Sequence, residues 1–235
     1  MVKKVKETLG DTKKKIIDTR DKINLIDFDA HWYRRVFHVF GASFLVYYIL
    51  PDVDWINLIK FWFPISIVTI ALIVEILRLR GLISSEHFFG LRFYEKNRIG
   101  SYMYFAIAVV ILLEFFPQKI AIPCILCACI VDPLMGEIRH RYNEKISQIV
   151  GLLTCVFLFS IVWYESDPII VLSVSVIGGF GALIGEVRKL KWLDDDFMIQ
   201  ILPAILVLIF CIISIKITGV NILDGQVIYP VEVFW

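Results

Sequence analysis

Apolar residues fall into seven long blocks along this chain, each closed by charge, proline or glycine. The blocks run from about Val36 to Leu50, Trp55 to Leu77, Ser101 to Phe116, Ile120 to Leu134, Ile149 to Tyr164, Ile169 to Ile184 and Phe197 to Ile217. Runs of this kind predict helices that cross a bilayer, so the expected fold is all-α, a polytopic membrane bundle of about seven helices. Several blocks are shorter than the roughly 20 residues that cross a hydrocarbon core untilted. Short spans are tolerated where protein shields the helix ends or a wet cavity lies beside them, so a cavity is expected.

Composition supports the same environment. Of 235 residues 58% are hydrophobic, and the mean hydropathy is +0.75. A soluble domain of this length cannot hide that much apolar side chain beneath a polar surface. The formal net charge is only +1, which gives no electrostatic reason to expect a nucleic-acid partner. The five cysteines, Cys124, Cys127, Cys129, Cys155 and Cys211, all lie inside apolar blocks. Cys124 and Cys127 form a CxxC pair, but with no histidine pair nearby the expected role is packing.

The distribution of charge sets the orientation. Ten Lys and Arg lie in residues 1–35, five in 78–99, three in 136–147 and three in 186–196, or 21 of the 24 in the chain. These segments alternate with nearly uncharged links, so the positive-inside rule places the N-terminus inside and the C-terminus outside. Residues 1–30 mix lysine clusters with Val5, Leu9, Ile16, Ile17, Ile23 and Ile26. They read as an interfacial helix or a solvated tail, and not as a secretory signal. Residues 31–217 hold the spans. Residues 218–235 read as an extended or hairpin segment outside, turning at Asp224-Gly225.

Four charged patches on the expected inner side carry candidate chemistry. His31, Arg35 and His38 share one helical face and suit either a phosphate clamp or, with Trp32 and Tyr33, an interfacial anchor. Residues 86–100, with Arg92, Lys96 and Arg98 among aromatics, read as a positive-inside loop. Asp132 closes an apolar span, which is costly unless the carboxylate is paired or holds a cation. Beyond it, Gly136 permits close backbone approach, and Arg139 and Arg141 supply charge for phosphates. Glu137 with Arg141 also fits an ordinary i, i+4 pair.

In the fourth patch, Gly178, Gly181, Ala182 and Gly185 fit close helix packing before Glu186. Arg188 and Lys189 follow, and then Asp194, Asp195 and Asp196. One of these aspartates fits a helix cap, but the set exceeds what capping needs. Hard oxygen ligands of this sort suit Mg²⁺, which takes one or two carboxylates plus substrate phosphates. Glu75 with Arg78 reads as a plain i, i+3 pair.

The order of these patches resembles the CTP-dependent polyprenol kinase family, which includes dolichol kinase, phytol kinase and the CTP-dependent diacylglycerol kinase. The likeness rests on Arg35 and His38 entering the first span, and on Asp132-Pro133 with Gly136, Arg139 and Arg141. It continues in the small-residue span ending at Glu186 and in Asp194, Asp195 and Asp196 opening the last long helix. Where Arg139, Asp196 and Gln200 stand, the family usually carries glycine, often asparagine, and proline.

The resemblance implies a membrane lipid kinase, with residues 31–217 as its catalytic unit. It would move the γ-phosphate of CTP to an isoprenoid or other lipid alcohol at the cytoplasmic face of a cell or endoplasmic-reticulum-type membrane. Asp132, Glu186, Asp194 and Asp195 would hold Mg²⁺ and, with His38, form the catalytic set. Arg35, Gly136, Arg139, Arg141, Arg188 and Lys189 would bind the nucleotide. The general base would be an aspartate or His38. A homodimer stays open. A cytidylyltransferase acting on a lipid phosphate is the nearest alternative, and a transporter or non-enzymatic membrane protein a further one.

Overall fold

The computed structural model describes residues 36, 38–84, 95, 97–187 and 193–232, and every regular element among them is helical. Residues 38–41 are helical and tighten into a 3-10 segment, Ala42–Tyr48, which ends before Pro51. Then follow α1 (Asp54–Leu79), α2 (Ser101–Phe115), α3 (Gln118–Arg141), α4 (Glu144–Val162), α5 (Pro168–Val187) and α6 (Asp195–Thr218). Five of these, α1 and α3 to α6, are long and apolar enough to cross a membrane, while α2 has only 15 residues. The first apolar block is a short helix running into a 3-10 turn, less than a full span by itself.

Local chemistry explains the boundaries. The Asn143 side chain accepts the Ile146 N–H at 2.9 Å and caps α4. Asp194 caps α6 by accepting the Asp196 N–H at 3.3 Å. These bonds satisfy amides that have no carbonyl partner at a helix start. At the other end of α6, Gly219 takes φ +70° and its N–H bonds the Ile215 carbonyl. That left-handed stop favours glycine.

The middle of α3 departs from the regular helix. Residues Cys127–Val131 form a π turn immediately before Asp132-Pro133. Proline has no N–H for the carbonyl one turn back and its ring crowds that carbonyl, so a widened turn relieves both problems. The helix then continues past the apolar boundary at Leu134 to Arg141, with the Met135 carbonyl accepting the Ser147 hydroxyl at 2.8 Å.

Helix α3 forms the centre of the bundle. Buried residues make up 61% of its most apolar window, against 6% for α1. Small residues let α5 approach its neighbours. A Cβ at Gly178 would lie 2.6 Å from the Phe159 ring of α4, and one at Gly181 would lie 2.8 Å from Pro203 Cα of α6. At Gly185 it would stand 2.5 Å from the Met198 carbonyl oxygen, so the backbones of α5 and α6 nearly touch. Large apolar side chains such as Trp62, Ile70, Leu153, Leu172 and Ile213 face outward, as lipid allows and water does not.

Residues 219–232 fold back over the end of the bundle that carries Tyr48 and Gln118. Gln118 Oε1 accepts the N–H groups of Val227 and Ile228 at 3.1 and 3.0 Å, and the Val231 N–H bonds the Ile49 carbonyl. Gly225 does take a positive φ of 101°, but no strand pair forms among the described residues. The glutamine meets backbone donors that a hairpin would have paired. The segment 1–30 lies outside the described residues.

Candidate functional site

Four chain segments bring ionisable groups, three of them acidic, to the opposite end of the bundle. His38 precedes the 3-10 segment, Asp132 leaves the π turn of α3, Glu186 ends α5, and Asp194, Asp195 and Asp196 open α6. The close contact at Gly185 sets the α5 end against the α6 start, so Glu186 arrives beside the three aspartates. Without that glycine a side chain would wedge the two helix ends apart.

His38 is buried and its Nε2 faces two carboxylates, 2.9 Å from Asp196 Oδ1 and 3.4 Å from Asp132 Oδ2. Phe105 packs edge-on against the imidazole at 5.2 Å and fixes its plane. Gln200, fully buried, donates from Nε2 to the Asp196 carbonyl at 2.8 Å and secures the first turn of α6. Asp194 is largely buried, and Arg98 Nη2 lies 3.6 Å from its Oδ2. Burial first, and then the neighbouring Asp195 and Asp196 carboxyls, push Asp194 up to about 8.

Glu186 is only 4% exposed. Its Oε1 accepts from Arg139 Nη2 at 3.1 Å, while Oε2 is buried with no hydrogen-bond partner among the described residues. Asp132 and Asp195 are close enough for their charges to act on it. Arg139 is shared, because its Nε lies 2.6 Å from Glu144 Oε2.

The donor set fits a divalent cation. The ligand atoms of His38, Asp132 and Asp196 lie within 4.8 Å of one another, and so do those of Asp194, Asp195 and Asp196. Carboxylate oxygens at such separations repel in a low-dielectric site, and a hard cation reverses that repulsion.

Several expected nucleotide contacts have other partners. Arg139 is bound to Glu186 and Glu144, as above. Arg141 is 69% exposed at its side chain and bonds Glu137, the i, i+4 pair. A Cβ at Gly136 would meet nothing within 4 Å, so this glycine serves no close helix packing. Arg35, Arg188 and Lys189, with His31, lie outside the described residues.

Sequence reasoning passed over two features. Glu75 and Arg78, read as a plain pair, form a buried bracket. Arg78 donates to both Glu75 oxygens at 2.7 and 2.8 Å and to the carbonyls of Glu95 and Arg98. Glu75 also accepts the Gly100 N–H at 2.7 Å and the Tyr102 hydroxyl at 2.6 Å. The bracket ties the segment before α2 to α1 and so holds the backbone of Arg98, whose side chain reaches Asp194. The second feature is an apolar groove of about 240 Å³ between the 3-10 segment, α1 and α2, walled by Phe44, Phe63, Ile67, Ala106 and Val110. Its lining also includes Tyr47, Leu50 and Lys60, so it extends toward the Tyr48 end of the bundle.

No family model, curated protein or solved structure matches this chain.

Proposed function

We propose that the protein is a membrane lipid kinase, transferring the γ-phosphate of CTP to an isoprenoid or other lipid alcohol. The observation that carries this reading is the convergence of Asp132, Glu186, Asp194 and Asp195 with His38 at one helix-end cluster. The apolar groove between the 3-10 segment, α1 and α2 supports a lipid acceptor, since its walls suit a hydrocarbon chain. In the same reading the chain crosses the bilayer seven times, N-terminus inside and C-terminus outside, with the cluster at the cytoplasmic face.

The carboxylates of Asp132, Glu186, Asp194 and Asp195 would hold Mg²⁺, which would supply neutralisation of charge on the nucleotide phosphates, the main demand of phosphoryl transfer. Arg139 and Arg141, with the Arg35, Arg188 and Lys189 that the family resemblance implies, are the proposed source of positive charge for the nucleotide phosphates, and Arg98 beside Asp194 is a further cation for them. An aspartate or His38 takes the proton of the lipid hydroxyl as it attacks. In this reading the groove holds the hydrocarbon chain of the acceptor.

The test uses purified protein in lipid nanodiscs, Mg²⁺ and CTP labelled at either the α or the γ phosphate. A panel of prenols, diacylglycerol and lipid phosphates serves as acceptors. Label from the γ position entering a lipid alcohol is the expected result. Label from the α position entering a lipid phosphate would make the protein a cytidylyltransferase. No labelled lipid with CTP or ATP across the panel would end the enzymatic reading.

A further inference from the structure

The Glu75–Arg78 bracket is buried in α1, yet the backbone it grips leads to the acidic cluster in both directions along the chain. We infer that Glu75 and Arg78 are positioning residues for phosphoryl transfer, acting upstream through Arg98 and downstream through Phe105. The inference rests on the proposed function and adds to it two residues that lie outside the cluster.

Three observations carry it. The first is the grip on Arg98. Arg78 Nη2 donates to the Arg98 carbonyl at 2.7 Å and to the Glu95 carbonyl at 3.2 Å. Glu75 Oε1 accepts the Gly100 N–H at 2.7 Å, and the Arg98 N–H bonds the Glu95 carbonyl at 3.3 Å. The chain is thus held on both sides of the Arg98 Cα. From that fixed origin the side chain places Nη2 3.6 Å from Asp194 Oδ2. A binding group on a long stem is precise only where its backbone is held.

The second is the start of α2. This helix follows Gly100 with no side-chain cap of its own, and Glu75 binds both the Gly100 N–H and the Tyr102 hydroxyl. Tyr102 and Phe105 stand three residues apart, on neighbouring turns of one face. Phe105 is fully buried and packs edge-on against His38. A Cβ at Gly41 would lie 2.6 Å from its ring and 3.0 Å from Cys129 Sγ, in the π turn that leads to Asp132. The ring therefore stands where the His38 segment meets that turn. A displaced α2 start moves the support of His38, which faces Asp132 and Asp196.

The third is the choice of residues. Burying an ion pair costs desolvation, and an apolar pair of similar size joins two helices at least as well. An apolar pair has no direction, however. The planar fork of Arg78 meets Glu75 and two backbone carbonyls together, which fixes the stretch before α2 in orientation as well as in distance.

The test is a double-mutant cycle on the full-length protein in nanodiscs, with γ-labelled CTP, Mg²⁺ and a prenol acceptor. Arg78→Lys keeps the buried charge pair but loses the fork, and Arg98→Gln removes the proposed phosphate contact. Arg98→Gln alone should raise the KM for CTP about tenfold without moving the unfolding transition. Arg78→Lys alone should raise the same KM about fivefold. In the Arg78→Lys background Arg98→Gln should then add less than about twofold, because the guanidinium is already misplaced.

Equal effects of Arg98→Gln in the two backgrounds would make the bracket purely structural and overturn the inference, with the kinase reading intact. A wild-type KM in either single variant would do the same. No labelled lipid from the wild type would overturn both. Where Arg78→Lys fails to fold, Tyr102→Phe takes its place in the cycle under the same outcomes, since it loosens the α2 start and leaves the ion pair whole.

Discussion

Two buried ionic clusters occupy the same end of this bundle, and they are built on opposite plans. In the Glu75–Arg78 bracket both Glu75 carboxylate oxygens accept two hydrogen bonds, from Arg78, Gly100 and Tyr102. In the His38–Asp132–Glu186–Asp194–Asp196 cluster acids predominate among the described residues, and one buried oxygen of Glu186 has no partner among them. A carboxylate met at both oxygens fixes structure. A buried carboxylate met at one oxygen alone costs stability. The bracket holds the segment before α2 to α1; the Glu186 end of the acidic cluster has a buried acceptor to spare among the described residues.

The comparison can be broken by mutation. The largest effect belongs to the bracket. Glu75→Gln leaves Arg78 buried without its counter-ion and should destabilise the protein by about 3–5 kcal/mol, read from reversible unfolding in mixed micelles. Glu75→Gln combined with Arg78→Met should recover part of that loss, because neither charge of the pair then remains. Next comes metal. A divalent ion at a hundred times its dissociation constant should raise wild-type stability by about 2.7 kcal/mol, and chelation should reverse the gain. Asp132→Asn should reduce that shift and lower lipid phosphorylation by about 10²-fold or more.

Helix contact comes third. Gly185→Ala forces α5 away from the Met198 carbonyl and should cost about 1–3 kcal/mol. The same change moves Glu186 away from α6, so metal affinity should fall although no ligand is lost. The smallest effect is expected from Asp194→Asn in metal-free protein. It removes a crowded carboxyl but keeps a capping side chain, so stability should rise by about 1 kcal/mol or less in the same unfolding measurement.

The two clusters also differ in how much of them the sequence discloses. Asp132, Glu186 and the three aspartates stand out because a carboxylate at the edge of an apolar span is costly and needs a reason. Their number alone marks the region. Glu75 and Arg78 look ordinary because their local spacing is ordinary. What makes them a bracket is the Gly100 amide and the Tyr102 hydroxyl, 25 and 27 residues downstream, and no local pattern encodes that contact. His38 meets Asp196 across 158 residues for the same reason.

Helices α1 and α3 to α6 follow from block length and hydropathy, and the tight packing of α5 follows from its glycines. The 3-10 turn at Ala42–Tyr48 and the π turn before Pro133 change backbone pitch without changing hydropathy, so the pattern of apolar residues passes over both. Arg139 and Arg141 show the same limit: the i, i+4 pair of Arg141 with Glu137 is legible locally, whereas the pairing of Arg139 with Glu186 depends on contact across 47 residues.

The most direct test of the contrast is one pair of unfolding curves, wild type and Glu186→Gln, each with and without Mn²⁺. A cation-binding cluster predicts that metal-free Glu186→Gln is at least as stable as wild type. It also predicts that Mn²⁺ raises the wild-type transition clearly more than that of the variant. Metal-free Glu186→Gln that unfolds earlier than wild type, with the same Mn²⁺ shift in both proteins, would make the acidic cluster a structural network like the bracket and contradict the account.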